Sequence, residues 1–279
     1  MTSNSLASRS TDFFMLAHQK LLENIAIFWF VLAVLGQWIF AAYVIVFYGG
    51  ASVEGNFERW NKVLPHGYVA GDFWGNLVVG IHVLFAAVII IGGPLQLVPQ
   101  IRKHFRSFHR WNGKVYLLTV LIAAISGLVM VWTRGAVGDT FMHVGISTNA
   151  LLIIICAFFS YKNAINRQFD THYRWTLRLF MVANGVWFFR VGLMAWLLIH
   201  QAPVGFDMST FSGPFLWTLS SSVYIIPLPV LLLELYWKAK NSTSKALGFV
   251  TATILLVFTL LMGAGIFAAT MGMWTPRIF

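Results

Sequence analysis

Long runs of apolar residues, separated by shorter polar segments, dominate this sequence. Seven runs approach or exceed the roughly 20 residues that a helix needs to cross a bilayer. Helices are the open-chain structures that satisfy every backbone group in lipid. The pattern therefore predicts seven transmembrane helices, which we number 1–7: Ile25–Tyr48, Phe73–Val98, Gly113–Trp132, Met142–Tyr161, Trp175–Ile199, Pro214–Trp237 and Ala246–Met273.

Little of the chain lies outside these runs, so we predict one all-α polytopic membrane bundle without a soluble catalytic domain. Predicted helices 2–5 (residues 73–199) form a four-helix core, and the other helices are peripheral. Residues 1–24 are expected to form a polar cytoplasmic lead, and residues 25–279 the single transmembrane domain. Proline predicts a kink at Gly92-Gly93-Pro94 in helix 2 and another at Pro227 and Pro229 in helix 6.

Composition agrees with this prediction, since 58% of the residues are hydrophobic and 10% are charged. Soluble domains carry about 25% charged residues. The net charge of +10 does not point to nucleic acid, because the basic residues lie between apolar helices, where they set topology and meet anionic lipid. With one cysteine, Cys156, the chain has no intrachain disulfide and no cysteine-based metal site.

The distribution of lysine and arginine predicts the orientation in the membrane. Thirteen of them lie in the N-terminal lead and in the 2–3, 4–5 and 6–7 loops, whereas four lie on the opposite side. The positive-inside rule then places the N-terminus in the cytoplasm and the C-terminus outside. We expect a multi-pass protein of a bacterial inner membrane.

Polar residues are costly at membrane depth, so each of them needs a reason. His82 lies in the outer half of predicted helix 2, and His143 lies at the outer end of helix 4. His109 and His172 lie at the inner starts of helices 3 and 5. His82 and His109 are 27 residues apart, and His143 and His172 are 29 apart, which suggests that helices 2–3 and 4–5 are similar hairpins.

This placement gives two histidines at an outer level and two at an inner level. Each pair is a candidate to clamp a haem between facing helices, because imidazole nitrogen is a common axial ligand of haem iron. Arg110, Lys114 and Arg174 are placed to meet haem propionates on the inner side. The alternative is structural, because polar aromatic residues are also common at membrane interfaces.

Arg190 is the other polar outlier, in the outer half of predicted helix 5. It is expected to face a haem propionate, a quinone oxygen or a carboxylate substrate, or else to extend to the interface as a structural residue. Arg178 and Glu234 are expected to form a structural ion pair between helices 5 and 6.

Three motifs carry a family resemblance: Ile81-His82, Gly93-Pro94-Leu95-Gln96-Leu97 and His109-Arg110-Trp111-Asn112-Gly113-Lys114-Val115-Tyr116. With His172 to Arg178 and Arg190, they resemble a family of bacterial membrane proteins catalogued as domain of unknown function 2306. The layout also resembles the cytochrome b561 superfamily, whose members pass electrons across membranes through two b haems. That resemblance implies one haem between His82 and His143 and another between His109 and His172.

These features support more than one functional hypothesis. The first is a b-type haem oxidoreductase with one or two haems, which moves electrons between a quinol or small reductant and an acceptor. The second is a haem-free transporter or channel-like protein with a cavity marked by Arg190 and His82. A third is a membrane enzyme with another histidine-bound metal. The lipid bilayer is a partner in each case.

Overall fold

The structure, a computed structural model, describes residues 3–278, with side chains from residue 19 onward. The described part is mostly helical and contains no β-strand. Its α-helices are α1 (Ser3–Val44), α2 (Gly50–Val53), α3 (Phe73–Leu97), α4 (Pro99–His104), α5 (Arg106–Thr133), α6 (Thr140–Ile165), α7 (Phe169–Ala183), α8 (Gly185–His200), α9 (Pro214–Ser220), α10 (Leu228–Lys240), α11 (Lys245–Ala269) and α12 (Thr275–Ile278). Three π-helical segments, π1 (Ile45–Gly49), π2 (Ser221–Ile225) and π3 (Thr270–Trp274), and a 3₁₀ helix (Phe57–Lys62) complete it.

Seven membrane spans fit these helices. Five helical stretches in the described part are long and apolar enough to span a membrane, and two bent helix pairs bring the number to seven. Predicted helix 2 agrees with α3 to within one residue. Predicted helix 3 was placed too late, because α5 begins at Arg106 rather than at Gly113. The helix α1 begins at Ser3, within the predicted N-terminal lead, and continues into predicted helix 1; the side chains of the lead up to residue 18 lie outside the described residues.

Local sequence signals explain several helix starts. Asp72 caps α3 by accepting a hydrogen bond from the backbone N–H of Gly75, 3.0 Å away. Asp139 caps α6 in the same way through Met142, at 3.1 Å. Short polar side chains at this position satisfy N–H groups that have no partner within the helix.

Four helices form a ring in which α3 packs on α5, α5 on α6, α6 on α7, and α7 on α3. This ring corresponds to the predicted four-helix core of residues 73–199 except that the second half of predicted helix 5 lies outside it, and α5 lies diagonally across from α7. The interior of the ring is apolar and close-packed around Ile89, Tyr116, Val120, Ala123, Cys156, Ala157, Leu179 and Val182. We call the end of the bundle that carries Arg102–Lys114 the basic end.

A second group of helices packs against this ring. In it, α11 lies between α1 and α8, and α1 also contacts α3. Gly265 of α11 permits close packing, because a Cβ there would lie 2.2 Å from the carbonyl oxygen of Val191 in α8. The segment Glu54–Asp72 covers the end of this group, which we call the loop end. Arg134 holds that segment through the Asp72 carboxylate and the carbonyl oxygen of His66.

Predicted helix 5 is not one straight helix, which corrects the sequence prediction. It divides at Asn184 into α7 and α8, which meet at an angle of 52°. Asn149 of α6 donates a hydrogen bond of 3.1 Å to the carbonyl oxygen of Val182, and so takes over an acceptor that the break leaves free. The break passes the chain from the four-helix ring to the second group.

The predicted kink in helix 6 is confirmed, because the pair that contains π2 and α10 bends by 54° around Pro227. Proline has no N–H and cannot continue the helical hydrogen bonds. In contrast, α3 continues without interruption through Pro94.

Candidate functional site

Arg190 lies in α8 with few partners for its charge. Its guanidinium donates one long hydrogen bond, of 3.4 Å, to the carbonyl oxygen of Val186 in its own helix. It also lies over the ring of Phe40 in α1, with 5.6 Å between the guanidinium carbon and the ring centroid. Among the described side chains, no Asp or Glu forms an ion pair with it. A half-buried guanidinium without an acid is costly at membrane depth unless an anion meets it.

Side chains from several helices lie within electrostatic range of this arginine. They are Tyr48, His82 and Tyr224, which belong to π1, α3 and π2. Tyr224 stacks on Phe189 with 5.6 Å between the ring centroids. We call Phe40, Tyr48, His82, Arg190 and Tyr224 the Arg190 cluster. Its polar groups are a guanidinium and two hydroxyls, which are able to donate hydrogen bonds, and an imidazole.

The π-helical segments explain how these side chains meet. π1 supplies Tyr48, and π2 supplies Tyr224. π3 supplies Trp274, which packs on Phe40 with 5.1 Å between ring centroids. A π turn inserts an extra residue and rotates the following side chains, and such turns are frequent at functional sites. The three described π segments thus all contribute to the surroundings of one arginine.

Buried polar atoms without a hydrogen-bond partner lie in the same region. Gln37, one helical turn before Phe40, is fully buried, and both atoms of its amide are unpartnered within the described part of the chain. The other such atoms in this region are Tyr43 Oη, Trp187 Nε1, Ser220 Oγ and Trp274 Nε1. Burying a polar group without a partner costs free energy. These atoms are therefore positioned for a polar ligand or for water.

His82 is held in one orientation. Its Nδ1 lies 3.0 Å from the carbonyl oxygen of Ala123 and 3.1 Å from the hydroxyl of Ser126, both in α5. A carbonyl oxygen only accepts, so the proton of the ring is on Nδ1. In the neutral ring Nε2 then carries the free lone pair. A carbonyl partner of this kind commonly fixes the tautomer of a ligand-binding histidine.

The structure does not bring His143 to His82. The Nε2 of His143 lies 3.0 Å from the carbonyl oxygen of Ala136, and its ring meets that of Trp132 with 6.3 Å between centroids. His82 instead contacts α5 at Ala123 and Ser126. Ser126 and Trp132, the α5 neighbours of the two rings, are separated by about 9 Å of helix at about 1.5 Å of rise per residue. Each histidine thus has protein partners of its own at a different level of α5.

His109 and His172 both lie at the basic end, in the first turns of α5 and α7, within electrostatic range of each other. His172 Nδ1 lies 2.8 Å from the carbonyl oxygen of Ser160, which leaves its Nε2 unprotonated in the neutral ring. His109 Nδ1 is buried without a hydrogen-bond partner among the described residues. Imidazole nitrogens without a protein partner are of the type that serves as an axial ligand of haem iron.

The basic residues expected near the haem propionates are less well placed. Arg110 and Lys114 are exposed. The guanidinium of Arg174 lies over the ring of Trp237 in α10, 5.3 Å from its centroid. Arg102, which sequence analysis did not select, carries a charge that acts on His109.

The sequence model of one family matches residues 79–213. That family is described as "Predicted membrane protein (DUF2306)". The match extends from α3 into the segment after α8, and it contains His82, His109, His143, His172 and Arg190. No curated protein and no solved structure matches the chain.

Sequence analysis selected Arg190 and His82 but missed most of their neighbours. Tyr48 and Tyr224 lie outside the matched region, on π segments that an apolar pattern does not reveal. Gln37 had a usable signal, since it is an amide in the middle of an apolar run. Among the described residues, no three His, Cys, Asp or Glu side chains form a group suited to a metal ion.

Proposed function

We propose that this membrane protein is a transporter that binds a small carboxylate at the Arg190 cluster. One observation carries the proposal: Arg190 has no acidic partner among the described side chains, and its charge reaches Tyr48 and Tyr224, whose hydroxyls are able to donate hydrogen bonds. A planar guanidinium matches a carboxylate through two parallel hydrogen bonds. The aromatic rings of Phe40, Tyr43 and Trp274 favour a ligand whose body is apolar or planar.

The helix breaks support transport rather than binding alone. The bend at Asn184 lies about one and a half turns before Arg190 on the same predicted helix, and the second bend, at Pro227, follows Tyr224. Transporters commonly place substrate sites at discontinuous membrane helices, where a short element can move without the whole bundle. The excess of lysine and arginine at the basic end supports an arrangement in a bacterial inner membrane with the loop end outside.

The test compares thermal stability with and without ligand. Purified full-length protein is heated with sodium benzoate, succinate or phosphate. A ligand at 100 times its Kd stabilises the folded state by about 2.7 kcal/mol, which corresponds to a rise in Tm of several degrees. We expect benzoate to give this rise in the wild type and not in Arg190→Gln. An equal rise in both proteins, or none with any of the three anions, contradicts the proposal.

A second function, electron transfer through one b haem, is supported by the placement of His109 and His172 in the first turns of α5 and α7 and by the unpartnered, buried Nδ1 of His109. These residues would hold the iron, and the haem would supply one-electron redox chemistry near a quinol or small reductant. His172 would keep its orientation through the carbonyl oxygen of Ser160. His82 and Arg190 take no part in this site.

The absorption spectrum of protein expressed with ample haem tests the second function. One bis-imidazole haem per chain should give sharp reduced bands, which His109→Ala and His172→Ala each remove. His143→Ala serves as the control and should retain them, because His143 bonds to Ala136 instead. A colourless protein that binds no haem on reconstitution would leave transport as the sole candidate.

A further inference from the structure

A cavity at the loop end lies next to the Arg190 cluster and has a basic lining. Its volume is about 290 Å³, and it lies between the 3₁₀ helix and α12. The cavity is lined by Phe47, Arg59, Lys62, Pro276, Arg277 and Ile278. Lys62 and Pro276 are exposed, so the cavity opens to the surface. We call these six residues the basic cavity.

Few acids offset its three cations. Arg59 lies 3.8 Å from Glu54, a long contact to a largely exposed carboxylate. Its guanidinium also donates a hydrogen bond of 3.2 Å to the backbone carbonyl of Arg277, which brings these two residues together without cancelling either charge. Lys62 and Arg277 form no ion pair with a described side chain. Like charges held together in a concave surface concentrate anions from solution.

Two aromatic residues connect the basic cavity to the Arg190 cluster. Phe47 is fully buried and lies under Arg59, with 5.2 Å between the guanidinium carbon and the ring centroid. Its ring also lies 5.5 Å from that of Tyr43 and 4.9 Å from that of Tyr48. The charges of Arg277 and Arg190 both act on Tyr48. Both Phe47 and Tyr48 belong to π1, where the local change of helix type positions the rings between the two basic sites.

We propose that the basic cavity is the site where a small anion is first held before it passes Phe47 to reach Arg190. The inference rests on the proposed function for the direction of travel. The anion comes from the aqueous side of the loop end. The shared chemistry of an anionic headgroup makes a lipid phosphate the competing occupant, and the experiment separates the two sources.

The test measures local charge without needing to know the ligand. Ile278→Cys places a thiol in the lining, and the native Cys156 is buried, so unsubstituted protein gives the background. The thiol is reacted with two impermeant methanethiosulfonates, one bearing a sulfonate and one bearing a trimethylammonium group. In neutral detergent we expect the sulfonate reagent to react at least tenfold faster relative to its rate with free cysteine, and salt to reduce this preference.

Matched variants connect this preference to the cations. Lys62→Gln and Arg277→Gln should each lower it several-fold, whereas Lys103→Gln, an exposed cation at the basic end, should leave it unchanged. If the sulfonate and trimethylammonium reagents, each relative to its rate with free cysteine, reacted equally fast with Ile278→Cys in a lining that keeps its three cations, the proposal would be overturned. Loss of the preference in nanodiscs that contain phosphatidylglycerol but not in those of phosphatidylcholine would also overturn it, because a lipid headgroup would then occupy the cavity.

Passage of the anion from the basic cavity to Arg190 is tested separately, through the association rate of benzoate. Attachment of the bulky sulfonate to Ile278→Cys should slow the association of benzoate at least tenfold while leaving its dissociation rate unchanged. Unchanged association would overturn the role of the cavity while leaving the Arg190 site intact. If Arg190→Gln loses benzoate binding while the reagent preference is retained, the basic cavity attracts anions independently of the Arg190 site.

Discussion

The two halves of predicted helix 5 carry one arginine each, and the two arginines have opposite surroundings. Arg178 on α7 donates a hydrogen bond of 2.7 Å to Glu234 on α10 and lies over the rings of Trp175 and Trp237. Arg190 on α8 has one long bond to its own helix and no acid among the described side chains. The same residue type is thus paired with an acid in one half and has no acidic partner among the described side chains in the other.

The largest expected effect is on the affinity for benzoate, which should depend on Arg190 and not on Arg178. Arg190→Gln removes the charge that the carboxylate requires, and truncating a buried charge partner costs about 2–5 kcal/mol, which is a loss of affinity of roughly 30-fold or more. Its Tm without ligand should be equal to or above that of the wild type, since an uncompensated charge is removed. Titration of benzoate against each variant gives the affinities, and differential scanning calorimetry gives the Tm.

Arg178→Gln is the matched control for this comparison. It should keep the affinity for benzoate and lower the Tm, because Glu234 and two tryptophans lose their partner. If Arg178→Gln abolished binding while Arg190→Gln did not, the assignment of roles would be reversed.

The second effect tests whether α8 must lie close to α11. A methyl group on Gly265 would meet the carbonyl oxygen of Val191 at 2.2 Å, and backbone atoms cannot move aside cheaply. Gly265→Ala should therefore displace α8, cost about 1–3 kcal/mol of stability, and weaken benzoate binding through the neighbouring Arg190.

Gly263 on the same helix provides the control. A methyl group there would meet only the flexible end of Leu32, at 3.2 Å. Gly263→Ala should leave binding unchanged and be neutral or slightly stabilising, since alanine favours helices more than glycine does. If Gly265→Ala were as neutral as Gly263→Ala, the position of α8 against α11 would not matter for stability or binding.

The third effect measures the Arg178–Glu234 pair directly. A double-mutant cycle of Arg178→Gln and Glu234→Gln should give a coupling energy of about 1 kcal/mol, because the Glu234 side chain is 43% exposed. Additive effects of the two substitutions would mean that the tryptophan contacts, rather than the ion pair, stabilise this half.

These contrasts also show what the sequence could predict. The seven spans follow from apolar runs, and the Arg178–Glu234 pair follows from two lone charges at similar depth on adjacent predicted helices. Arg190 and His82 stood out because polar side chains are costly in lipid. Each of these signals is local, so a single chain displays it.

The remainder depends on information that no local pattern contains. Asn184-Gly185 lies inside an apolar run, and its break depends on Asn149 from another helix. The π segments bring Tyr48 and Tyr224 to Arg190 from positions far apart in the chain. The surroundings of His82 and His143 depend on the register of α5, because His82 contacts Ala123 and Ser126 whereas His143 contacts Trp132.

The smallest effect concerns a third arginine, Arg134, whose ion pair lies at the surface of the loop end. The backbone N–H of Gly75 and the Arg134 guanidinium hold the pKa of Asp72 below its ordinary value of 3.8. Since the folded pKa is lowered, the pair stabilises the fold above about pH 4 and loses its contribution as pH falls through the lowered pKa. Asp72→Asn keeps a good helix cap, so it isolates the ion pair.

The expected loss of stability is small, because the Asp72 side chain is 47% exposed and salt screens such pairs. Tm curves of the wild type and Asp72→Asn should run parallel from about pH 7 to pH 5 and converge below about pH 4. Glu58→Gln, which removes an exposed acid from the same segment, should not reproduce this convergence. If the Tm difference between wild type and Asp72→Asn instead matched that between wild type and Arg178→Gln, solvent exposure would not set the strength of the Arg134–Asp72 and Arg178–Glu234 pairs. The contrast between α7 and α8 would then rest on whether an arginine has an acidic partner, and not on how exposed that partner is.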